Sequence, residues 1–127
     1  MDIEGKTIRQ TQRIRLSGDE AVALVEALQS FVGHEIVISE GITRERGGRG
    51  YDRHAATNSR FSFMVDQVFG YTISGELFGI ESKGGSNFYC LSFLSVVQFE
   101  WQEGILTITE HYEDNTARQT VVQRIAA

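Results

Sequence analysis

Apolar residues recur at intervals of three and four between about residues 18 and 32, which is the spacing of an amphipathic helix. Ser17 is placed to cap the first turn, Glu20 follows at the spacing of a capping box, and Gly33 stands just after the last turn. The sequence therefore predicts one long helix. Its apolar face consists of Ala21, Leu24, Val25, Leu28, Phe31 and Val32.

Alternating apolar and polar residues predict strands on both sides of this helix. Residues 6–16 place Arg9, Arg13 and Arg15 on one side and mostly apolar residues on the other. A second strand is predicted over 36–39, directly after the helix.

The C-terminal half predicts an antiparallel meander with tight turns between its strands. The predicted strands cover residues 71–77, 87–101, 105–113 and 116–125. Residues 87–101 are apolar on both faces, which is typical of a central strand that is covered on both sides.

Residues 60–69 fit two patterns. Five apolar positions fit a helical stripe, and three fit a strand: the first set is Phe61, Met64, Val65, Val68 and Phe69, and the second is Phe61, Phe63 and Val65. A short helix is favoured because more positions fit it.

These elements predict a single α+β domain over residues 1–127. A curved antiparallel sheet of about five to six strands, ending in the C-terminal meander, would pack on one main N-terminal helix. The alternative is a small β-barrel, in which the same strands close on themselves.

Composition narrows the classes of protein that the chain can represent. Its 127 residues are 41% hydrophobic and 23% charged, as in ordinary globular domains. The net charge of −5 makes nucleic acid an unlikely partner, and no apolar run approaches the roughly 18 residues of a membrane span. The acidic first residues do not resemble a signal peptide, and a single cysteine, Cys90, fits a reducing cytoplasm.

Residues 42–58 are rich in glycine and arginine and have little apolar area, so the sequence predicts an exposed, flexible loop. A solvated loop is the simplest interpretation; capture of an anion or of an acidic partner is the alternative, and nucleic-acid binding is the weakest one. The candidate binding residues in the loop are Arg44, Arg46, Arg49, Tyr51 and Arg53.

The sequence holds no recognisable catalytic motif. It lacks a Gly-x-Ser-x-Gly elbow, Cys90 lies in the most apolar stretch, and the three histidines lack metal-ligand spacing, so neither a metal nor another cofactor is predicted. Weak acid–base candidates remain: Glu76 and Glu100, which interrupt apolar strands, and the histidines His54 and His111.

Aromatic residues are unusually dense between residues 61 and 101, and one helix cannot cover both faces of the predicted central strand. This excess of apolar strand surface predicts an exposed apolar sheet face or a cup. The candidate contact residues are Tyr89, Phe99 and Trp101, and the arginine loop would lie at the edge of the surface. We therefore expect a non-enzymatic binding module that forms a homodimer and could also take a small apolar or anionic ligand. The alternative is a small cup-shaped acid–base enzyme, a hydrolase, lyase or isomerase.

Overall fold

The computed structural model describes residues 16–45, 51–70, 77–112 and 116–125. Nearly all of the predicted strand at 6–16 lies outside these residues. The elements, in chain order, are α1 (Gly18–Gln29), β1 (Glu35–Glu45), β2 (Tyr51–Met64), β3 (Gln67–Phe69), β4 (Leu77–Glu81), a 3₁₀ turn (Lys83–Gly85), β5 (Phe88–Ser92), β6 (Val96–Gln102), β7 (Ile105–His111) and β8 (Thr116–Arg124).

The predicted capping box of the helix is confirmed. The Glu20 backbone N–H donates to Ser17 Oγ at 3.2 Å, and the Ser17 backbone N–H donates to Glu20 Oε1 at 2.8 Å. The helix ends at Gln29, three residues earlier than predicted, and the chain then turns through Gly33, whose φ is 88°. The turn leaves Phe31 fully buried against the core.

Replacement of the cap should cost measurable stability. Ser17→Ala removes the acceptor for one of the unpaired N–H groups of the first turn, so we expect a loss of about 1 kcal/mol in the free energy of unfolding. Urea denaturation followed by circular dichroism measures it. An unchanged midpoint would show that the cap contributes nothing to the folded domain.

The strands form two antiparallel sheets. The larger sheet has the order β2-β1-β8-β7-β6, and the smaller has the order β3-β4-β5. The α+β fold with antiparallel strands is therefore confirmed. The strands form two sheets where one was predicted, and the C-terminal meander is divided between them. In the described part of the chain both sheets end in edge strands, so the alternative of a closed barrel is wrong.

One hydrophobic core lies between the larger sheet and the two elements that cover it. The helix and the smaller sheet contribute side chains to the same cluster as the inner face of the larger sheet. The fully buried members include Leu24, Leu28 and Phe31 from α1, Ile80 and Leu91 from the smaller sheet, and Ile36, Ile38, Leu106, Ile108 and Val122 from the larger sheet.

The predicted strand at 87–101 is two strands in different sheets. A turn over residues 93–95, closed by a hydrogen bond from the Ser95 N–H to the Ser92 carbonyl (3.0 Å), separates β5 from β6. The apolar residues at even positions have separate places: Phe88 and Cys90 lie on the outer side of β5, Leu94 lies in the turn, and Val96 is buried at the start of β6. A bulge between Val96 and Gln98 shifts the phase of the alternation within β6.

The helix favoured for residues 60–69 is also wrong. These residues belong to the end of β2 and to β3. Phe61 and Phe63 lie opposite Ile38 and Ile36 of β1. These apolar cross-strand pairs on the inner face stabilise the strand over the helix.

The predicted loop at 42–58 consists largely of strand residues. β1 continues to Glu45 and β2 begins at Tyr51, so only residues 46–50 of this stretch lie outside the described chain. Composition suggested a loop because few apolar side chains are present here. The backbone of β1 nevertheless pairs with β8 as far as the partners Arg44 and Thr116, and this pairing stabilises an extended chain without much apolar burial.

Candidate functional site

Of the four candidate acid–base residues, the structure describes the side chains of Glu100 and His111, and these two lie far apart. Glu100 and His111 are exposed on the outer face of the larger sheet. Glu100 lies opposite Thr107, four residues along β7 from His111, so their Cα atoms are about 13 Å or more apart. Glu76 lies outside the described residues, and His54 belongs to β2.

The backbone around His54 is irregular. Ile42 pairs with Thr57 and Arg44 pairs with Asp52, so residues 53–56 face the single residue Thr43. This is an irregular bulge of four residues against one in the strand at the edge of the described sheet, and it interrupts the ladder at the candidates Arg53 and His54.

The arginine candidates lie in the hairpin of β1 and β2. Arg44 belongs to β1, and Tyr51 and Arg53 belong to β2; Arg46 and Arg49 lie outside the described residues. The hairpin belongs to the larger sheet and Tyr89 belongs to the smaller one, so the hairpin candidates and Tyr89 lie in different sheets.

The three aromatic candidates are divided between the sheets. Tyr89, in β5, is buried at 5% exposure, whereas Phe99 and Trp101 lie in β6. Phe99 is partly buried against the core, and Trp101 is 42% exposed and packs edge-on against Phe31 at 5.5 Å between ring centres. They do not form the single aromatic face that an unbroken strand would have produced.

A buried polar network joins the two sheets, and Arg118 lies at its centre. Its guanidinium donates from Nε to Glu110 Oε1 (2.6 Å), from Nη1 to Glu40 Oε2 (3.1 Å) and from Nη2 to the Cys90 carbonyl oxygen (2.7 Å). Its central carbon lies 5.1 Å from the centre of the Tyr89 ring, within the range of a cation–π contact. Arg118 therefore contacts both sheets.

Glu110 is the most deeply buried charged group of the network, with no exposed surface. Besides the Arg118 bond, its Oε2 accepts from the Ser92 backbone N–H and from the Tyr112 hydroxyl, both at 2.8 Å. The carboxylate is thus paired and multiply hydrogen-bonded, which is what a charge needs to remain stable in a protein interior.

The ion pair of Arg118 and Glu110 also protects the edge of the smaller sheet. Among the described strands, β5 is at the edge of its sheet, and no described strand pairs with its outward backbone groups. The Cys90 carbonyl is bonded by Arg118 and the Ser92 N–H by Glu110, so the donor and acceptor side chains take the place of a paired strand. Both bonds join a strand of the smaller sheet to a side chain of the larger sheet, so the network holds the two sheets together.

The remaining members complete this closed network. The Tyr89 hydroxyl donates to Glu40 Oε2 at 3.0 Å and lies 2.6 Å from Thr120 Oγ1. Burial raises the pKa of Tyr89, and burial together with the hydrogen bond to Glu110 raises the pKa of Tyr112. The two hydroxyls therefore stay protonated across the physiological pH range.

The charge of Arg118 is equally secure. Burial alone lowers the pKa of its guanidinium, but the hydrogen bond and the opposite charge of Glu110 outweigh burial and raise the pKa above its usual value. Arg118 therefore stays charged across the physiological pH range.

Sequence reasoning did not find this network, although part of its signal was present. Glu110 shares the alternation of Leu106 and Ile108, so its side chain lies on a face of β7 that is otherwise apolar. An acid in that position requires a cationic partner. Arg118 is this partner, because it lies directly opposite Glu110 in the pairing of β7 with β8. The pairing register depends on the turn between the two strands, so the sequence alone did not reveal the pair.

The smaller sheet has an apolar surface on the side away from the core. Phe88 is 59% exposed, Leu77 is 56% exposed, and the Phe69 ring lies edge-on to Phe88 at 6.4 Å between ring centres. Cys90, a free and partly exposed thiol, lies between them in the sheet, and burial raises its pKa. We call Phe69, Leu77, Phe88 and Cys90 the outer apolar face.

The described residues contain neither a cluster of metal ligands nor a helix that could span a membrane. No group of three histidine, cysteine, aspartate or glutamate side chains there is placed to hold a metal ion. In the same residues, no helix has both the length and the apolar character needed to cross a membrane.

Comparison with known proteins yields a likeness of fold. No family model matches the sequence, and a search of curated proteins finds no match. The fold is similar to the crystal structure of the Bacillus subtilis YojF protein, with a TM-score of 0.59 over 91% of this chain and 97% of that chain. The two sequences are 10% identical, so the likeness supports a common fold and nothing finer.

Proposed function

We propose that this chain is a non-enzymatic interaction module, and that a second copy of the chain binds to its outer apolar face. The observation that carries the proposal is the exposure of Phe88 and Leu77, at 59% and 56%, on a sheet whose opposite side is packed into the core. Covering such side chains is favourable by about 25 cal/mol for each Å² of apolar surface removed from water.

The charge pattern of the smaller sheet favours a second copy as the partner. Two copies bring equal net charges of −5 together, so a contact between them needs a centre without carboxylates. Among the described residues, the row Phe69–Gly79–Cys90 is uncharged. Glu81 lies in the neighbouring row, where its carboxylate accepts a hydrogen bond from the Gln67 side chain.

Symmetry and chemistry support the same conclusion. A two-fold dimer places one patch against itself, and this is the commonest way in which soluble proteins cover an apolar surface. The acid–base alternative has less support, since Glu100 and His111 are far apart and the buried carboxylate Glu110 is fully engaged. The free thiol of Cys90 on this face is compatible with a reducing cytoplasm, which we propose as the location.

The double substitution Leu77→Ser and Phe88→Ser tests the proposal. We expect the wild-type protein to have twice its 14.2 kDa chain mass at high micromolar concentration, and the double variant to have the chain mass under the same conditions. Size-exclusion chromatography with light scattering measures both. The loss of apolar contact at two exposed positions should weaken a dimer by at least about tenfold.

Ile105→Ser is the matched control, because Ile105 is an exposed strand residue, 41% accessible, in the larger sheet. It should leave the dimer intact. A wild-type protein that stays at the chain mass at every concentration, or a double variant that dimerises as well as the control, would contradict the proposal.

A further inference from the structure

A hollow lies on the outer face of the larger sheet, at Gly41 in the middle of β1. Asn58 of β2 and Gln119 of β8 are the register partners of Gly41 and flank it on either side. The next row along the sheet consists of Arg60, Ser39 and Val121. Glu40 and Ser59, which lie between these two rows, complete the lining of the hollow. It is open to solvent and has a volume of about 380 Å³.

Neither backbone geometry nor crowding explains the glycine at this position. Gly41 does not have a positive φ, and a Cβ added there would meet only Asn58 Oδ1, at 3.4 Å. Gly79, in contrast, has no room for a Cβ because the backbone of Tyr89 lies against it. A glycine inside a strand weakens the strand and often marks a bulge, a bend, or a position where a ligand or another backbone approaches closely. The register is regular from Glu40 to Ile42 on both sides of β1, so the bulge that follows Ile42 does not include Gly41.

The side chains around the hollow have hydrogen-bonding capacity that the described chain does not use. Ser39, Asn58, Arg60 and Gln119 supply a hydroxyl, two amides and a guanidinium, and none of them bonds through its side chain to another described residue. Two charged residues line the hollow, Glu40 and Arg60. The Glu40 carboxylate is bonded by Arg118 and by the Tyr89 hydroxyl in the network on the other side of the sheet, so Arg60 is the charged group that a ligand in the hollow can use. A guanidinium binds carboxylate and phosphate oxygens in a bidentate manner, and amides and hydroxyls suit the other oxygens of such a ligand.

We propose that this hollow binds a small oxygen-rich anion, with Arg60 holding the anionic oxygens, Asn58 and Gln119 holding neutral oxygens, and Gly41 leaving space for the ligand to lie on the sheet. A hydroxycarboxylate and a sugar phosphate share this chemistry. The inference is independent of the proposed self-association, because it concerns the opposite sheet.

Titration of the ¹⁵N-labelled full chain with four probes tests the inference. The probes are inorganic phosphate, glucose 6-phosphate, citrate and uncharged glucose, each up to millimolar concentration. We expect at least one anion to shift the amide resonances of residues 39–41, 58–60 and 119–121, and glucose to leave them unchanged. The comparison of phosphate, sugar phosphate and citrate distinguishes the sources of the anionic group.

Two variants make the test specific. Arg60→Gln should weaken the binding of the anion by about tenfold or more, since it removes a charge-assisted pair, and Gly41→Val should weaken it by filling the hollow. Arg124→Gln is the matched control, because Arg124 lies on the opposite face of the sheet and bonds to the Ser30 carbonyl. The absence of shifts with every anion, equal shifts with glucose, or equal affinity for Arg60→Gln and Arg124→Gln would overturn the inference.

Discussion

Glu110→Ala should lower the free energy of unfolding by about 3–5 kcal/mol, the cost expected for removing one partner of a buried ion pair. The substitution removes the shortest hydrogen bond of the partly buried Arg118 guanidinium, which keeps its bonds to Glu40 and to the Cys90 carbonyl. It also removes the acceptor from the Ser92 N–H and from the Tyr112 hydroxyl. The effect is large because one carboxylate serves the pairing of two sheets.

Equilibrium unfolding in urea measures the loss, with Glu110→Gln and Glu100→Ala as the reference variants. The glutamine keeps the shape and one acceptor oxygen, so it should cost less than alanine. Glu100 is an exposed glutamate in the same sheet, and its replacement should change stability by no more than about 0.5 kcal/mol. If Glu110→Ala were as mild as Glu100→Ala, the network would not be what joins the sheets.

Gly79→Ala should be destabilising by about 3 kcal/mol, or should prevent the smaller sheet from forming. A Cβ at residue 79 would collide with the Tyr89 carbonyl oxygen and would lie 2.9 Å from its carbon and 3.2 Å from Cys90 Cα. All three are backbone atoms of the paired strand β5, so relief requires the strands to separate.

Gly41→Ala is the matched control for this variant. Residue 41 has space for a Cβ, and alanine restricts the unfolded chain more than glycine does, so stability should stay the same or rise by up to about 1 kcal/mol. The two variants change the same residue type in two strands of one protein. Equal losses at both positions would contradict the close approach of β4 and β5.

The regular parts of the fold followed directly from the sequence. The helix was predictable because its stripe, its capping box and Gly33 are local signals that agree. The strands β7 and β8 were predictable because each alternates over its length and turn residues precede each in the sequence. In these segments the local preferences and the tertiary contacts favour the same structure.

The errors arose where tertiary contacts decide the structure. Residues 60–69 carry spacings that fit a helix, but pairing with β1 imposes the strand. Residues 87–101 show no proline or glycine at the point where the chain passes from one sheet to the other. Composition alone could not reveal this break, because both halves of the stretch are apolar although β5 belongs to the smaller sheet and β6 to the larger one.

The candidate site was predictable only in outline. The sequence indicated surplus apolar strand surface, and Phe88 is indeed on the exposed side of β5, opposite buried Tyr89 and Leu91. It could not indicate which apolar residues remain exposed, since Phe99 is partly covered by the core and Leu77 is not covered. Exposure depends on how the two sheets and the helix are packed, and no local pattern encodes this packing.

The most direct test of self-association through the outer apolar face is a dilution series of the ¹⁵N-labelled wild-type protein, followed through its amide resonances. Dilution from high to low micromolar concentration should shift the resonances of residues 77–81 and 88–92 and leave those of β7 and β8 in place. Resonances that do not move with concentration, or movement confined to the larger sheet, would contradict the account.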